Sequence, residues 1–313
     1  MDKFECNKIS FYEGRRQHMN INAMLKLTIS MAIFGSIGFF TTQTGLPAVE
    51  LVFIRCICAT IFLGSLWLLT GGHKKEIWQK SELLKTIVCG VFIVLNWVFL
   101  FKAFEGMSIS IAISIYNLAP IFVLILGSIF LAEKMGIRSI LATVICFLGS
   151  ILIVGIESFT SISEFINSGF VWALLSAICY ALTMFTSKTI KGLSSYALTF
   201  VQTIVGIILL FPMCDFTAFN SLTQTNWFYI LATGFIHTGF VYYLFFDSIR
   251  NLSTIIVSVL VFVDPVVAIL LDAFLLSFRP SLLQIIGIIL IFCSILYTVL
   301  YPNTASKKIE TSP

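Results

Sequence analysis

The chain carries one apolar pattern twice. The run SISIAISIYNLAPIFVLILGSIFLAEK, built around Pro120, returns as STIIVSVLVFVDPVVAILLDAFLLSFR around Pro265, 145 residues further on. The same offset aligns Phe101 with Phe246, Ser108 with Ser253 and Leu131 with Leu276. Each run is long enough to cross a bilayer as a helix. Each is interrupted near its middle by a proline, which lacks the N–H that a helix interior requires. Paired units with broken helices at corresponding places mark chains that form a transport site between two halves inside a membrane.

Composition sets the solvent. Of 313 residues, 58% are hydrophobic and only 11% charged, and the mean hydropathy is +1.02. Soluble domains carry roughly 25% charged residues. A hydrocarbon core of about 30 Å needs roughly 20 apolar residues per helix. Read with that ruler, the first half holds candidate spans at Leu25–Thr42, Pro47–Leu69, Leu83–Phe104, Ile109–Ala132 and Ser139–Ile156. The second holds Phe170–Ile190, Tyr196–Cys214, Trp227–Phe246, Thr254–Leu276 and Leu282–Tyr301. The runs are too long and too evenly apolar for the strands of a membrane barrel. The expected fold is therefore all-α and integral to the membrane, with ten transmembrane helices in two five-helix repeats, 23–156 and 169–301.

Lys and Arg orient the bundle. With the N-terminus in the cytoplasm, all but three of the 19 basic residues fall on the cytoplasmic side. The exceptions are Lys102 and Arg279 near the outer face and Arg55 inside a span. This is the bias that membrane insertion imposes. The net charge of +4 thus reports topology; spread over separate loops, it does not form a nucleic-acid surface. Five spans per half make the second repeat enter from the opposite side, so the repeats are inverted and both termini cytoplasmic. Residues 1–22 read as a cytoplasmic arm and 302–313 as a cytoplasmic tail. The first apolar run is too long for a secretory signal core and lacks its small-residue end. Most of the eight cysteines lie within spans, and Cys56 and Cys58 point to different faces of one helix. They read as buried thiols, with no metal site and no cofactor expected.

Four segments, in order, resemble one family. LVFIRCICAT, LNWVFLFKAFEGMSISIAISIYNLAPIFVLILGSIFLAEK, GFVWALLSAICYALTMFTSK, and FVDPVVAILLDAFLL followed by LLQIIGIILIFCSILY are similar to helices of EamA-type proteins of the drug/metabolite transporter superfamily. The resemblance covers 24–301. It implies a multi-pass transporter of the bacterial inner membrane that handles small metabolites, often by exporting amino acids or related compounds. One departure is clear. Family repeats carry a Glu just after the proline helix; Glu133 fills that place in the first half, whereas the second has Phe278.

Candidate site residues follow from depth and chemistry. Pro120 and Pro265 free the carbonyls of Tyr116 and Val261 from their helical donors, either to line a cavity or to be satisfied by a neighbouring helix. Asp264 and His237 lie about 15 Å into the membrane at 1.5 Å per residue, and Asn96 and Asn117 are also deep. Ionisable groups at such depth usually face the bundle interior and mark a pathway; a structural hydrogen-bond network is the alternative. Asp264 is the candidate coupling carboxylate and His237 its candidate proton partner. Arg55 can hold a substrate carboxylate or pair with Glu50 or Asp272 and fix packing. Trp97 and Tyr242, which match at the repeat offset, read either as an aromatic pair across a central cavity or as core packing, the default in a chain with 31 phenylalanines. Phe34 and Tyr180 occupy similar places in their opening helices. Lys102/Glu105 and Asp247/Arg250 read as local helix-end salt bridges.

The chain has three histidines and no H-E-x-x-H, G-x-S-x-G or P-loop motif, so neither a membrane enzyme nor an ATP-driven pump is expected. The expected partners are a small-molecule substrate and the lipid bilayer, with the chain as monomer or homodimer. Efflux of drugs or toxic organic cations is the alternative within transport. A non-transporting receptor is the alternative outside it.

Overall fold

The computed structural model describes residues 20–106, 109–130, 136–154, 169–275 and 281–300. Most of the expected arm, Glu133, Lys134, the stretch around Ile156, Phe278, Arg279, the expected tail and the side chain of Asp272 lie outside them. Every regular element described is helical. The first half consists of α1 (Ile21–Phe34), α2 (Ile37–Thr42), α3 (Ala48–Leu69), α4 (Lys80–Gly106), α5 (Ile109–Tyr116), α6 (Ala119–Phe130) and α7 (Ile137–Val154). The second consists of α8 (Val171–Thr189), α9 (Ser195–Leu210), α10 (Gln224–Ala232), α11 (Val241–Ile249), α12 (Thr254–Leu260), α13 (Val263–Leu275) and α14 (Leu282–Leu300). Among the described residues six helical stretches are long and apolar enough to cross a membrane, including Ile21–Thr42, Lys80–Gly106 and Gln224–Ile249. Four shorter apolar helices lie in the remaining expected spans.

The first helix begins at Ile21, earlier than its apolar run, because the Asn20 side chain accepts the N–H of Ala23 and caps the first turn. Both proline runs are broken as expected, but each break lies just before its proline. Leu118 N–H bonds to Ile115 O at 3.0 Å, and Pro120 then sits in the first turn of α6, where a missing N–H costs little. In the second half Asp264 N–H reaches the Val261 carbonyl at 3.3 Å. That carbonyl, expected to be free, has found a donor through a tighter turn.

Two further irregularities have no proline. Between α1 and α2 the bonding tightens, with Ser36 N–H on Ile33 O at 3.1 Å. Gly35 allows close approach here: a Cβ on it would lie 2.8 Å from the Asp264 carbonyl oxygen. Between α10 and α11, Thr233–Phe240 winds as a π-helix. Gly239 lets that segment lie against α3, since a Cβ there would meet the Phe62 ring at 2.8 Å.

Packing respects exchange of the halves. Helix α4 packs along α8, and its counterpart α11 packs along α1. The pairs α3 with α9 and α7 with α14 bring like positions together, and α6 packs on α12, the part of the second broken span that precedes its proline. Single bonds repeat the rule. Trp97 Nε1 donates to the Tyr242 hydroxyl, and Cys146 Sγ approaches Ile291 O at 4.0 Å; both pairs are 145 residues apart. Ser176 Oγ donates to Asn96 O at 2.9 Å, while Ser30 Oγ donates to Val241 O, the counterpart of Asn96, at 3.4 Å.

The bundle is apolar outside and mixed inside. Leu69, Ile208, Phe228 and Ile129 are exposed, whereas Ser30, Asn96, Ser176, Thr203 and Thr238 are buried. Lipid offers no gain from burying one apolar helix against another, so small and polar residues collect where helices meet.

The expected local salt bridges do not form. Asp247 pairs with Lys26 of α1, and Arg250 donates to the Leu193 carbonyl at 2.7 Å. Glu105 accepts the N–H of Ala48 at 2.9 Å, and Lys102 lies over the Trp172 ring at 5.4 Å. Partners from other helices, held in place by packing, displace the neighbour on the same helix. Glu50 accepts the N–H of Asp215 at 2.9 Å and is not paired with Arg55.

Packing of α7 on α14 is tight at Gly149, where a Cβ would lie 2.8 Å from Gly287 O. Gly149→Leu should destabilise the bundle by about 1–3 kcal/mol through overpacking. A lower thermal midpoint of the detergent-purified protein checks this; an unchanged midpoint contradicts the packing described.

Candidate functional site

Aromatic rings from both halves pack together in the middle of the bundle. Trp97 of α4 and Tyr242 of α11 meet edge to face at 4.9 Å, in addition to their hydrogen bond. Phe34, the last residue of α1, stands edge-on to Tyr242 at 4.8 Å. Phe245 packs against Tyr242 at 5.9 Å and stacks on Tyr180 at 5.9 Å. Tyr180 in turn stacks on Tyr116 at 5.1 Å. Trp97 and Tyr242 therefore meet across the halves, and Phe34 and Tyr180 flank them. Phe245 also belongs to this wall, although no polar group or repeat match singled it out among 31 phenylalanines.

Arg55 of α3 is 2% exposed. Its Nε donates to Thr238 Oγ1 at 2.8 Å. Its guanidinium lies 5.7 Å from the centre of the Trp97 ring and 5.0 Å from that of Phe101. Nη1 is buried with no hydrogen-bond partner, and no carboxylate pairs with the residue among the described residues. Aromatic faces hold a cation weakly, by about 0.5–2 kcal/mol. A buried charge supported only by such faces and one hydroxyl, with no counter-charge, costs several kcal/mol.

Asp264 carries the opposite charge. It lies in the first turn of α13, half-buried, and among the described residues its carboxylate makes no hydrogen bond or ion pair. It lies within electrostatic reach of Tyr116, Tyr180 and Tyr242. Tyr242 also lies in the field of Arg55. Both side chains thus act on Tyr242.

Asn96 donates from Nδ2 to Ser176 O and Oγ, both at 2.9 Å, while its Oδ1 is buried and unpartnered. Asn117, in the break between α5 and α6, is buried with an unpartnered Nδ2. The Pro120 carbonyl accepts from Ser258 Oγ at 3.2 Å, which ties the two broken helices to each other. Pro265 is buried just beyond Asp264.

His237 is 2% exposed. Nε2 lies 2.9 Å from Ser36 Oγ and Nδ1 3.4 Å from Ala232 O. Its ring packs on Phe40 at 4.8 Å. The structure does not join it to Asp264 by a hydrogen bond. The two sit on either side of the break after α1, His237 against Ser36 and Asp264 against Gly35. Thr238 and Ser36, which complete this region, were not singled out by the sequence; mid-span hydroxyls are common, and only the fold brings them to a charge.

Among the described residues no group of three His, Cys, Asp or Glu side chains could hold a metal ion. Cys56 and Cys58 are buried free thiols.

The model of the EamA-like transporter family matches residues 21–155 and again 167–300. An uncharacterized transporter, YxxF, of Bacillus subtilis (strain 168) is 52% identical over 277 residues, spanning 88% of this chain and 89% of that one. An uncharacterized transporter of Archaeoglobus fulgidus is 22% identical over 271 residues, 86% of this chain and 93% of its own. A solved crystal structure, 17% identical, superposes with a TM-score of 0.78 over 89% of this chain and 98% of its own; it shares the fold. The chain belongs to the EamA-like transporter family. It is a multi-pass membrane transporter.

The Trp97–Tyr242 tie can be weighed directly. Tyr242→Phe leaves the buried indole N–H unpaired and should cost about 1–3 kcal/mol. In a double-mutant cycle with Trp97→Phe, the double variant should lose clearly less than the sum of the single losses. Thermal unfolding of the four proteins measures it; strict additivity means no coupling between the two residues.

Proposed function

We propose that this protein is a secondary-active exporter of small zwitterionic metabolites, such as amino acids or related compounds, across the bacterial inner membrane. It works by alternating access. Ten spans form two inverted five-helix repeats, 23–156 and 169–301, with both termini cytoplasmic. The matching packing pairs of the two halves and the charge bias of the loops support that topology. The observation that carries the substrate reading is that a basic and an acidic side chain, Arg55 and Asp264, neither of them in an ion pair, both lie within electrostatic reach of Tyr242 of the Trp97–Tyr242 pair. A carboxylate on the Arg55 fork and an ammonium at Asp264 would relieve both charges at once, with the side chain against the aromatic wall.

Energy comes from an ion gradient or exchange, since the chain has no P-loop. Asp264, at mid-membrane beside a broken helix, is the coupling carboxylate; it binds either a proton or the substrate cation. Efflux of organic cations is the second reading, favoured by the tyrosine faces near Asp264. Arg55→Gln separates the two: it should abolish export of a zwitterion and leave export of a cation intact.

The first experiment compares metabolites in medium and cytoplasm, with and without the protein. A compound that shifts outward is then loaded into vesicles. Asp264→Asn should abolish accumulation driven by a pH gradient, while exchange of labelled for unlabelled substrate persists. Normal gradient-driven accumulation by this variant rules out Asp264 as the coupling group. Binding without counterflow in the native protein means a receptor. For topology, Ser161→Cys on a background lacking native cysteines should react only with external reagents; labelling only from the cytoplasm overturns the inverted arrangement.

A further inference from the structure

The two halves match in packing but differ in two local places, and those places touch. The opening helix of the first half breaks at Gly35–Ser36, whereas its counterpart α8 runs unbroken from Val171 to Thr189. The span built from α10 and α11 contains the π-helical segment Thr233–Phe240, whereas its counterpart α4 is regular from Lys80 to Gly106. Ser36 and His237 join the two irregularities at 2.9 Å.

We infer that His237, held by Ser36, is a positioning residue that maintains the π-helical turn presenting Thr238 to Arg55. Bonds at two successive residues hold the segment. Ser36 Oγ has one proton for two neighbours, the Ile33 carbonyl at 2.8 Å and His237 Nε2 at 2.9 Å, while Nδ1 stands 3.4 Å from the Ala232 carbonyl; Ser36 holds the ring in either neutral tautomer, donating to Nε2 when Nδ1 carries the proton and accepting from Nε2–H when it does not. The Nδ1 contact reaches five residues back, the spacing of a π-helix. Thr238 makes the same five-residue step, its Oγ1 donating to Thr233 O at 2.9 Å. With its proton so used, the Thr238 oxygen is left to accept from Arg55 Nε at 2.8 Å. In a regular α-helix the side chains would be rotated off this register. The guanidinium is thereby fixed over Trp97 and Phe101 with Nη1 unengaged. Gly234 and Gly239 allow the segment to lie close enough to α3 for that bond.

This rests on the reading of Arg55 as the anion-holding group, yet its geometry can be tested without any substrate. The full-length protein is labelled with ¹⁵N-arginine in nanodiscs, and deuterium exchange at each arginine Nε–H is followed by NMR. Of six arginines, Arg55 is assigned by loss of its signal in Arg55→Lys, and Arg250 serves as internal reference. Thr238→Val, Ser36→Ala and His237→Phe should each speed exchange at Arg55 about tenfold or more by loosening the buried bond, leaving Arg250 unchanged. Ser36→Thr, which keeps the hydroxyl, should exchange like the native protein. Should His237→Phe fail to fold, Ser36→Ala decides, because it removes one hydroxyl and no ring. Native exchange at Arg55 in Ser36→Ala and His237→Phe, with acceleration in Thr238→Val, overturns the proposal and leaves His237 a packing residue. Native exchange in Thr238→Val as well overturns it at its last link. Neither outcome depends on whether the protein exports a zwitterion, so failure of that reading is seen separately in the vesicle experiments.

Discussion

The hydrogen bond from the Trp97 indole to the Tyr242 hydroxyl joins the same position of two copies of one unit, and the surrounding bundle is arranged about it. Hydrocarbon supplies no water to a stray donor, so each polar group inside must find a partner in the protein. An indole N–H has one use, and here it is spent across the boundary between the halves. The Ser176–Asn96 and Ser30–Val241 bonds repeat the logic as a pair. Helices that gain little from apolar contact in lipid are held by such bonds and by glycines that let them close.

Against that background of satisfied groups stand a few exceptions, of which Trp67 Nε1, Gln202 Oε1 and Thr298 Oγ1 lie outside the candidate site. Arg55 Nη1, Asn96 Oδ1 and Asn117 Nδ2 are buried without partners, and the Asp264 carboxylate makes no bond among the described residues. Buried polar groups are left unsatisfied rarely, because each costs about 1–3 kcal/mol and charged ones more. A transporter has reason to keep some: a site whose groups were already paired would gain nothing from substrate. The aromatic wall beside them gives a side chain something to lie against without competing for hydrogen bonds.

Much of the fold was legible in the residues. Apolar runs of bilayer length, the repeated proline pattern and the Trp97–Tyr242 correspondence all survive as helices, breaks and a contact. Local pairing was the weaker guide. Asp247 and Arg250 stand three apart on one helix, yet Asp247 goes to Lys26 and Arg250 to the Leu193 carbonyl. Helix spacing reports which neighbours are possible, and a better-placed group from another helix wins. Likewise the carbonyl of Val261 was expected to be free after Pro265, but the chain tightened and reused it for Asp264. The π-helical segment had no sequence signal, because it arises from how α10 and α11 must lie against α3.

Composition and periodicity by themselves determined that this chain is a helical membrane protein with a duplicated plan, because length, hydropathy and proline placement act on each segment alone. Which charges stand unpaired, and that His237 reaches Ser36 rather than Asp264, was decided only by the tertiary structure. Those outcomes depend on distances between segments far apart in the chain. In a low-dielectric interior, a shift of one helical register changes which polar group meets which, and no local rule carries that information.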